Sequence, residues 1–141
     1  ALCLLHMLGA PLTMQQQPHY TGVVGEVAAF LGERVRAARL AGVSDDRLVL
    51  DPGFGFGKSL AHNLELLRDL DRRAIDGLPV RAGMSRKSML GAITGRAVDD
   101  RLPASLAAAL LAVQRGAAIV RVHDVAATRD ALSVWHALGA A

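Results

Sequence analysis

Four short apolar runs, each followed by a stretch with helical spacing, constrain this chain more than any other feature. The runs are residues 1–7, 47–50, 79–83 and 117–122. Between the first two, Val23, Val27, Phe30, Leu31, Val35 and Ala38 mark a helix over 22–40, and Gly42 follows as its stop. Ser59 suits an N-cap for a helix reaching to about residue 73, with Leu60, Leu64, Leu67 and Leu70 on its buried side. Pro103 suits the first turn of a long helix that Gly116 ends, and 125–138 reads as the last helix. Strands alternating with helices predict a parallel sheet with right-handed crossovers. No linker or low-complexity segment interrupts the 141 residues, so a single domain over 1–141 is expected. A (β/α)8 barrel typically takes ~250 residues. Four β–α units amount to half of one, and a small open sheet satisfies the same pattern.

The balance of 52% hydrophobic and 21% charged residues suits a soluble α/β protein rather than a disordered chain. Fourteen of the sixteen basic side chains are arginine, yet they are scattered and the formal charge is only +3. A nucleic-acid face would show them clustered, so no nucleic-acid partner is expected. A few gathered at one pocket would suit an anionic small molecule. Cys3, the one cysteine, sits in Leu2-Cys3-Leu4-Leu5 and is expected to be a buried, inert thiol, consistent with the reducing cytoplasm. No apolar stretch reaches the roughly 20 residues that span a bilayer, and no basic region precedes the first apolar run, so neither a membrane nor a signal peptide is expected. The chain opens in a strand without an initiator methionine, which leads us to expect that it starts partway through something larger.

The second strand runs into Asp51-Pro52-Gly53-Phe54-Gly55-Phe56-Gly57-Lys58-Ser59. An aspartate closing a buried strand, then a glycine-rich loop into a helix, is where parallel α/β folds bind ligands. Two phosphate loops come close. A Walker A loop needs a glycine where Pro52 stands, and proline has no N–H to offer phosphate. A dinucleotide fingerprint reads G-x-G-x-x-G, whereas this loop reads G-x-G-x-G. The plainest role of Gly53, Gly55 and Gly57 is to permit positive φ in a winding turn.

Each other strand also ends in chemistry: His6-Met7 after the first, Ser85-Arg86-Lys87 after the third, Arg121-Val122-His123-Asp124 at the fourth. In a barrel these ends converge on one mouth. Arg121 and His123, two apart on a strand, share a face and make an anion site suited to phosphate or pyrophosphate. Asp51 before Pro-Gly is by itself most often a turn residue, and Lys87 by itself a solvated lysine. Lys58 and Ser59 read as a helix start with no catalytic role, His62 and Asn63 as shaping that start, and His19 and His136 as surface residues. Trp135 and Leu132 read as packing of the last helix.

Four blocks together resemble the C-terminal half of the dihydropteroate synthase family. They are His6-Met7-Leu8-Gly9-Ala10-Pro11-Leu12-Thr13-Met14-Gln15, Asp51 through Asn63, Gly83-Met84-Ser85-Arg86-Lys87-Ser88, and Arg121-Val122-His123-Asp124-Val125. The resemblance implies a (β/α)8 barrel, with this chain at strands five to eight. It implies condensation of 6-hydroxymethyl-7,8-dihydropterin diphosphate with p-aminobenzoate, giving 7,8-dihydropteroate and pyrophosphate in folate biosynthesis. By matching position, Asp51, Lys87, Met7, Gly83 and Arg121 would bind the pterin. Gly55, Phe56, Ser85 and Lys87 would border p-aminobenzoate. Arg121 and His123 would hold the departing pyrophosphate, and Asp51, Lys87 and Arg121 would carry the catalysis. Magnesium is implied on the leaving group, its ligand expected outside this chain, along with mobile loops of the first four strands. The chain alone is therefore expected to be inactive, and the whole protein a cytoplasmic homodimer. The alternatives are a methyltetrahydrofolate-type pterin-binding methyltransferase domain, or a non-catalytic half barrel that binds pterin or pairs with another chain.

Overall fold

The structure, a computed structural model, describes residues 1–14, 16–71 and 75–139. Its strands are β1 (Leu2–Leu5), β2 (Leu48–Asp51), β3 (Val80–Ala82) and β4 (Ala117–Val120), all parallel and ordered β1-β2-β3-β4. Strands that neighbour in the order they occur, joined by crossovers of one hand, place all the helices on one face of the sheet. Burial agrees. Leu48, Leu50, Val80, Ala82 and Ala117 are in the core, whereas Cys3, Val49, Arg81 and Ile119 on the opposite face are exposed or half-buried. Cys3 pairs with Val49, and a one-residue slip between Val80 and Arg81 sets Ile119 opposite Arg81. Parallel sheets are ordinarily covered on both faces. Here one face is open.

That open face corrects the expectation for Cys3. The thiol is exposed, because strand alternation turns it away from the helices. Strands β1, β3 and β4 are also shorter than the apolar runs suggest, since the backbone leaves the ladder as the strand-end loops begin, whereas β2 keeps four residues and is shifted by one to end at Asp51.

Helix α1 (Val23–Leu40) buries Val23, Val27, Leu31, Val35 and Ala38, the expected stripe, with Phe30 half-buried beside it. It lacks a side-chain cap at Gly22; Glu26 instead accepts the backbone N–H groups of Thr21 at 2.8 Å and Gly22 at 2.9 Å. Helix α2 (Leu60–Arg68) begins at Ser59, whose hydroxyl accepts the His62 N–H at 3.2 Å while His62 Nδ1 accepts from Ser59 N at 3.3 Å. Its buried side is Asn63, Leu66 and Leu67, so the stripe is rotated from the expected one and leaves Leu64 37% exposed. The helix ends at Arg68 with Asp69 as its C-cap, short of the end expected near residue 73; Gln15 of the first block lies outside the described residues.

The spacing gave no sign of α3 (Ser88–Thr94), seven residues with Gly91 inside. A side chain at Gly91 would collide with the Arg101 guanidinium. That guanidinium binds the Arg86 and Arg96 carbonyls, each at 3.0 Å. Helix α4 (Leu102–Gln114) carries Pro103 in its first turn and packs a small-residue face, Ser105, Ala108, Ala109 and Ala112. Helix α5 (Val125–Ala137) buries only Thr128; Trp135 and Leu132 are half-buried, and His136, like His19, is exposed. No helix among the described residues is long and apolar enough to cross a membrane.

Candidate functional site

The loop after β2 is built around a lysine that the sequence offered as a plain helix start. Lys58 is 4% exposed, and its ammonium donates to the carbonyls of Gly53 at 2.9 Å and Phe56 at 3.0 Å. It also lies 2.9 Å from Nδ1 of His6, at the end of β1. Burial first, then the neighbouring ammonium, pull the His6 pKa down to about 4. A neutral His6 is thus the acceptor that a buried lysine needs. Asn63 completes the clamp, accepting the Gly55 N–H at 2.7 Å and donating to the Ser59 carbonyl at 2.7 Å. The Tyr20 hydroxyl donates to the Gly57 carbonyl at 2.9 Å. Gly53, at φ +70°, could bear no side chain, because a Cβ would strike the His6 carbonyl oxygen.

Asp51 closes β2 nearly buried, its side chain 5% exposed. Oδ1 accepts the Gly53 N–H at 2.7 Å, in the manner of an aspartate that turns its own chain. Oδ2 accepts Nε and Nη2 of Arg81, both at 2.7 Å. Arg81 is a site residue beyond those expected from the sequence, and its signal there is a charge between Val80 and Ala82 on one strand.

After β3, Met84 is buried and Arg86 sits at φ +58°, an uncommon conformation for a branched-charge side chain held by its surroundings. Its guanidinium binds Asp124 at 2.7 and 3.2 Å, its N–H donates to Ser105 Oγ at 3.0 Å, and its carbonyl accepts from Arg101. This turn throws Lys87 back across the loop after β2. The Lys87 ammonium donates to the Phe54 carbonyl and lies 4.5 Å from the centre of the Phe56 ring, while Gly55 leaves room for its stem. Burial pulls its pKa below the usual lysine range; the Asp51 carboxylate opposes that, and Arg121 and Arg81 reinforce it.

A cleft of about 430 Å³ opens beside this lysine, lined by Gly83, Ser85, Arg86, Lys87, Val98, Arg121 and His123. Ser85 Oγ accepts the His123 N–H at 3.2 Å and lies 2.9 Å from its Nδ1, fixing the imidazole at the rim. Five of the expected site residues therefore line one cavity. Lys87 links it to the second group, Asp51, Gly55 and Phe56. Met7 is half-buried just past β1 and does not line the cleft. β4 ends at Val120, so Arg121 and His123 stand just beyond the strand rather than on it. Among the described residues no cluster of three or more His, Cys, Asp or Glu side chains could hold a metal ion. What the arrangement offers is a buried carboxylate, a partly dehydrated ammonium, an aromatic ring and an exposed cationic rim. A flat polar heterocycle with an anionic tail is the kind of ligand that uses all four.

The chain is similar to the dihydropteroate synthase of Haemophilus influenzae, 52% identical over 136 residues that cover 96% of this chain and 50% of that protein. It superposes on the dihydropteroate synthase of Stenotrophomonas maltophilia with active site-bound imidazole at a TM-score of 0.94 and 54% identity, covering 97% of this chain and 52% of that one. The enzyme of Xanthomonas albilineans in complex with 7,8-dihydropteroate gives a TM-score of 0.90 at 52% identity, over 99% of this chain and 50% of that one. The α/β fold with its parallel sheet matches those structures, and the chain spans about half the length of the relatives it matches. The model of a family described as pterin binding enzyme matches residues 1–123. Since that match takes in Asp51, Lys87 and His123 alike, the chain belongs to the pterin binding enzyme family.

Proposed function

We propose that residues 1–141 are one pterin-binding unit, strands five to eight of a (β/α)8 barrel, within a dihydropteroate synthase. The one-sided burial of the sheet supports the barrel. Cys3, Val49 and Ile119 on the open face are what a second half would cover, and the unpaired outer edges of β1 and β4 are where it would pair. The observation that carries the functional reading is the course of Lys87, from the cleft lined by Arg121 and His123 to the Phe54 carbonyl and the Phe56 ring.

In this reading Asp51 and Lys87 take the polar edges of the pterin, with Met7 against its ring and Gly83 leaving space. Arg121 stacks on the pterin face, a task for a planar guanidinium rather than an ammonium. Gly55, Phe56, Ser85 and Lys87 border p-aminobenzoate. Its amine attacks the methylene carbon of the pterin diphosphate as the carbon–oxygen bond breaks. Pyrophosphate leaves toward Arg121 and His123, and the amine proton passes to water. Stabilising the leaving anion is the main electrostatic task, because the aryl amine is already a neutral nucleophile. Magnesium would supply further charge on the diphosphate. Among the described residues the carboxylates form no ligand set for it. A cytoplasmic homodimer belongs to the same reading.

The deciding experiment measures pyrophosphate release, with and without p-aminobenzoate, by this chain alone and joined to the other half of a relative. Release that depends on p-aminobenzoate in the joined protein, and none from the chain alone, is expected. Release from the chain alone would overturn the half-barrel requirement. Pterin binding without any release in the joined protein would favour a methyltransferase-type or non-catalytic domain.

A further inference from the structure

We propose that Arg81 is a displaceable counterion: it occupies the Asp51 carboxylate until the aminopyrimidine edge of a pterin takes its place. The inference rests on the reading that Asp51 receives the pterin, and it adds a residue that determines what that reception costs.

A carboxylate offers about four acceptor positions. At Asp51, one on Oδ1 is taken by the Gly53 N–H, and the guanidinium of Arg81 puts both Nε and Nη2 on Oδ2. One position remains. The edge of an aminopyrimidinone presents two adjacent donors, a ring N–H and an exocyclic amine, and needs one position on each oxygen for a parallel pair. It cannot be seated while Arg81 keeps both of its bonds. The Gly53 bond belongs to a backbone turn closed by Lys58, so Arg81 is the partner that can leave.

The exchange matches donors but not charge, since a cation leaves the carboxylate and a neutral edge arrives. A guanidinium side, N–H and N–H across one carbon, is the same donor pair that the pterin edge presents, so Arg81 is a stand-in for the ligand. Burial agrees with a cover that lifts: the Asp51 side chain is 5% exposed beneath an Arg81 that is 28% exposed. The arginine shares its side of the sheet with Ile119 and Arg121. Once released, its charge stands beside Arg121, on the side where an anionic tail would arrive.

The test uses a neutral pterin without phosphates, so that Arg81 and Arg121 are not read through a diphosphate. Its affinity is measured by calorimetry for the chain joined to the other half of a relative, as wild type, Arg81→Met and Asp51→Asn. Removing the competing guanidinium should tighten binding by about tenfold, the worth of one hydrogen bond to a charged group. A gain in affinity is a result that damaged structure does not mimic. Should Arg81→Met fail to fold, Arg81→Lys, whose single ammonium cannot hold Oδ2 with a fork, should still gain a few-fold. Asp51→Asn should lose binding. Unchanged or weaker binding by a folded Arg81→Met, with wild-type binding intact and dependent on Asp51, overturns the inference alone. No pterin binding by any of the three overturns the pterin reading, and the inference with it.

Discussion

The loops after β2 and β3 each carry the chain's lysines, one apiece, and the two side chains do opposite work. Lys58 is enclosed by His6 and two loop carbonyls and holds its own turn in shape. Lys87 leaves its own turn altogether and reaches into the neighbouring one, where burial destabilises its charge. The first kind of lysine is a satisfied structural group. The second is under-satisfied beside an open cleft, which is the environment in which charged side chains meet ligands. Under the proposed function, the glycine-rich loop held by Lys58 forms a wall of the site, and the Ser85–Lys87 turn supplies the side chain that reaches the ligand.

The comparison breaks most readily at Gly53. Gly53→Ala adds a methyl group against the His6 carbonyl in a left-handed turn, and backbone cannot yield as a side chain would. We expect more than about 3 kcal/mol of stability lost, measured by chemical denaturation. A loss under 1 kcal/mol would show that the wall is soft. Lys58→Met should follow at roughly 3 kcal/mol, because the groups left at His6, Gly53 and Phe56 each lose a buried partner.

His6 ties the wall to pH. Its pKa of about 4 lies below the ordinary 6.5, so its contribution is fully present above pH 6.5 and fades as pH falls through 4. The fall in that window is on the order of 3 kcal/mol. His6→Gln should flatten it relative to the wild type in denaturation curves at pH 7 and 4; equal slopes would mean that other groups set the pH dependence.

Lys87→Met should have the smallest effect on stability, within about 1 kcal/mol, since a partly dehydrated charge is removed. Under the proposed function it should nonetheless weaken pterin binding by about tenfold or more. A variant as unstable as Lys58→Met would erase the distinction between the two lysines.

Much of this is legible in the sequence. The alternation of runs announced the parallel order, and Ser59, Gly42, Gly116 and Pro103 mark the helix ends where expected. Ser85, Lys87, Arg121 and His123 stood out at strand ends and meet in one cleft. What escaped notice shares a trait. The partners of Lys58 and His6 are 52 residues apart, those of Arg81 and Asp51 30, and those of Tyr20 and Gly57 37. Helix α3 is too short for a periodic signal, and the exposure of Cys3 depends on what covers a sheet face.

The amino-acid order by itself determined the sequence of strands and helices, because hydrophobic period and caps act within a few residues. It also determined the kinds of side chain delivered to the strand ends. Packing of distant segments set which lysine is walled in, Lys58, and which reaches across, Lys87, and laid Arg81 on Asp51. A buried charge takes whichever partner packing brings within 3 Å, and the energy of that choice comes from exclusion of water, which no local stretch of chain can arrange alone.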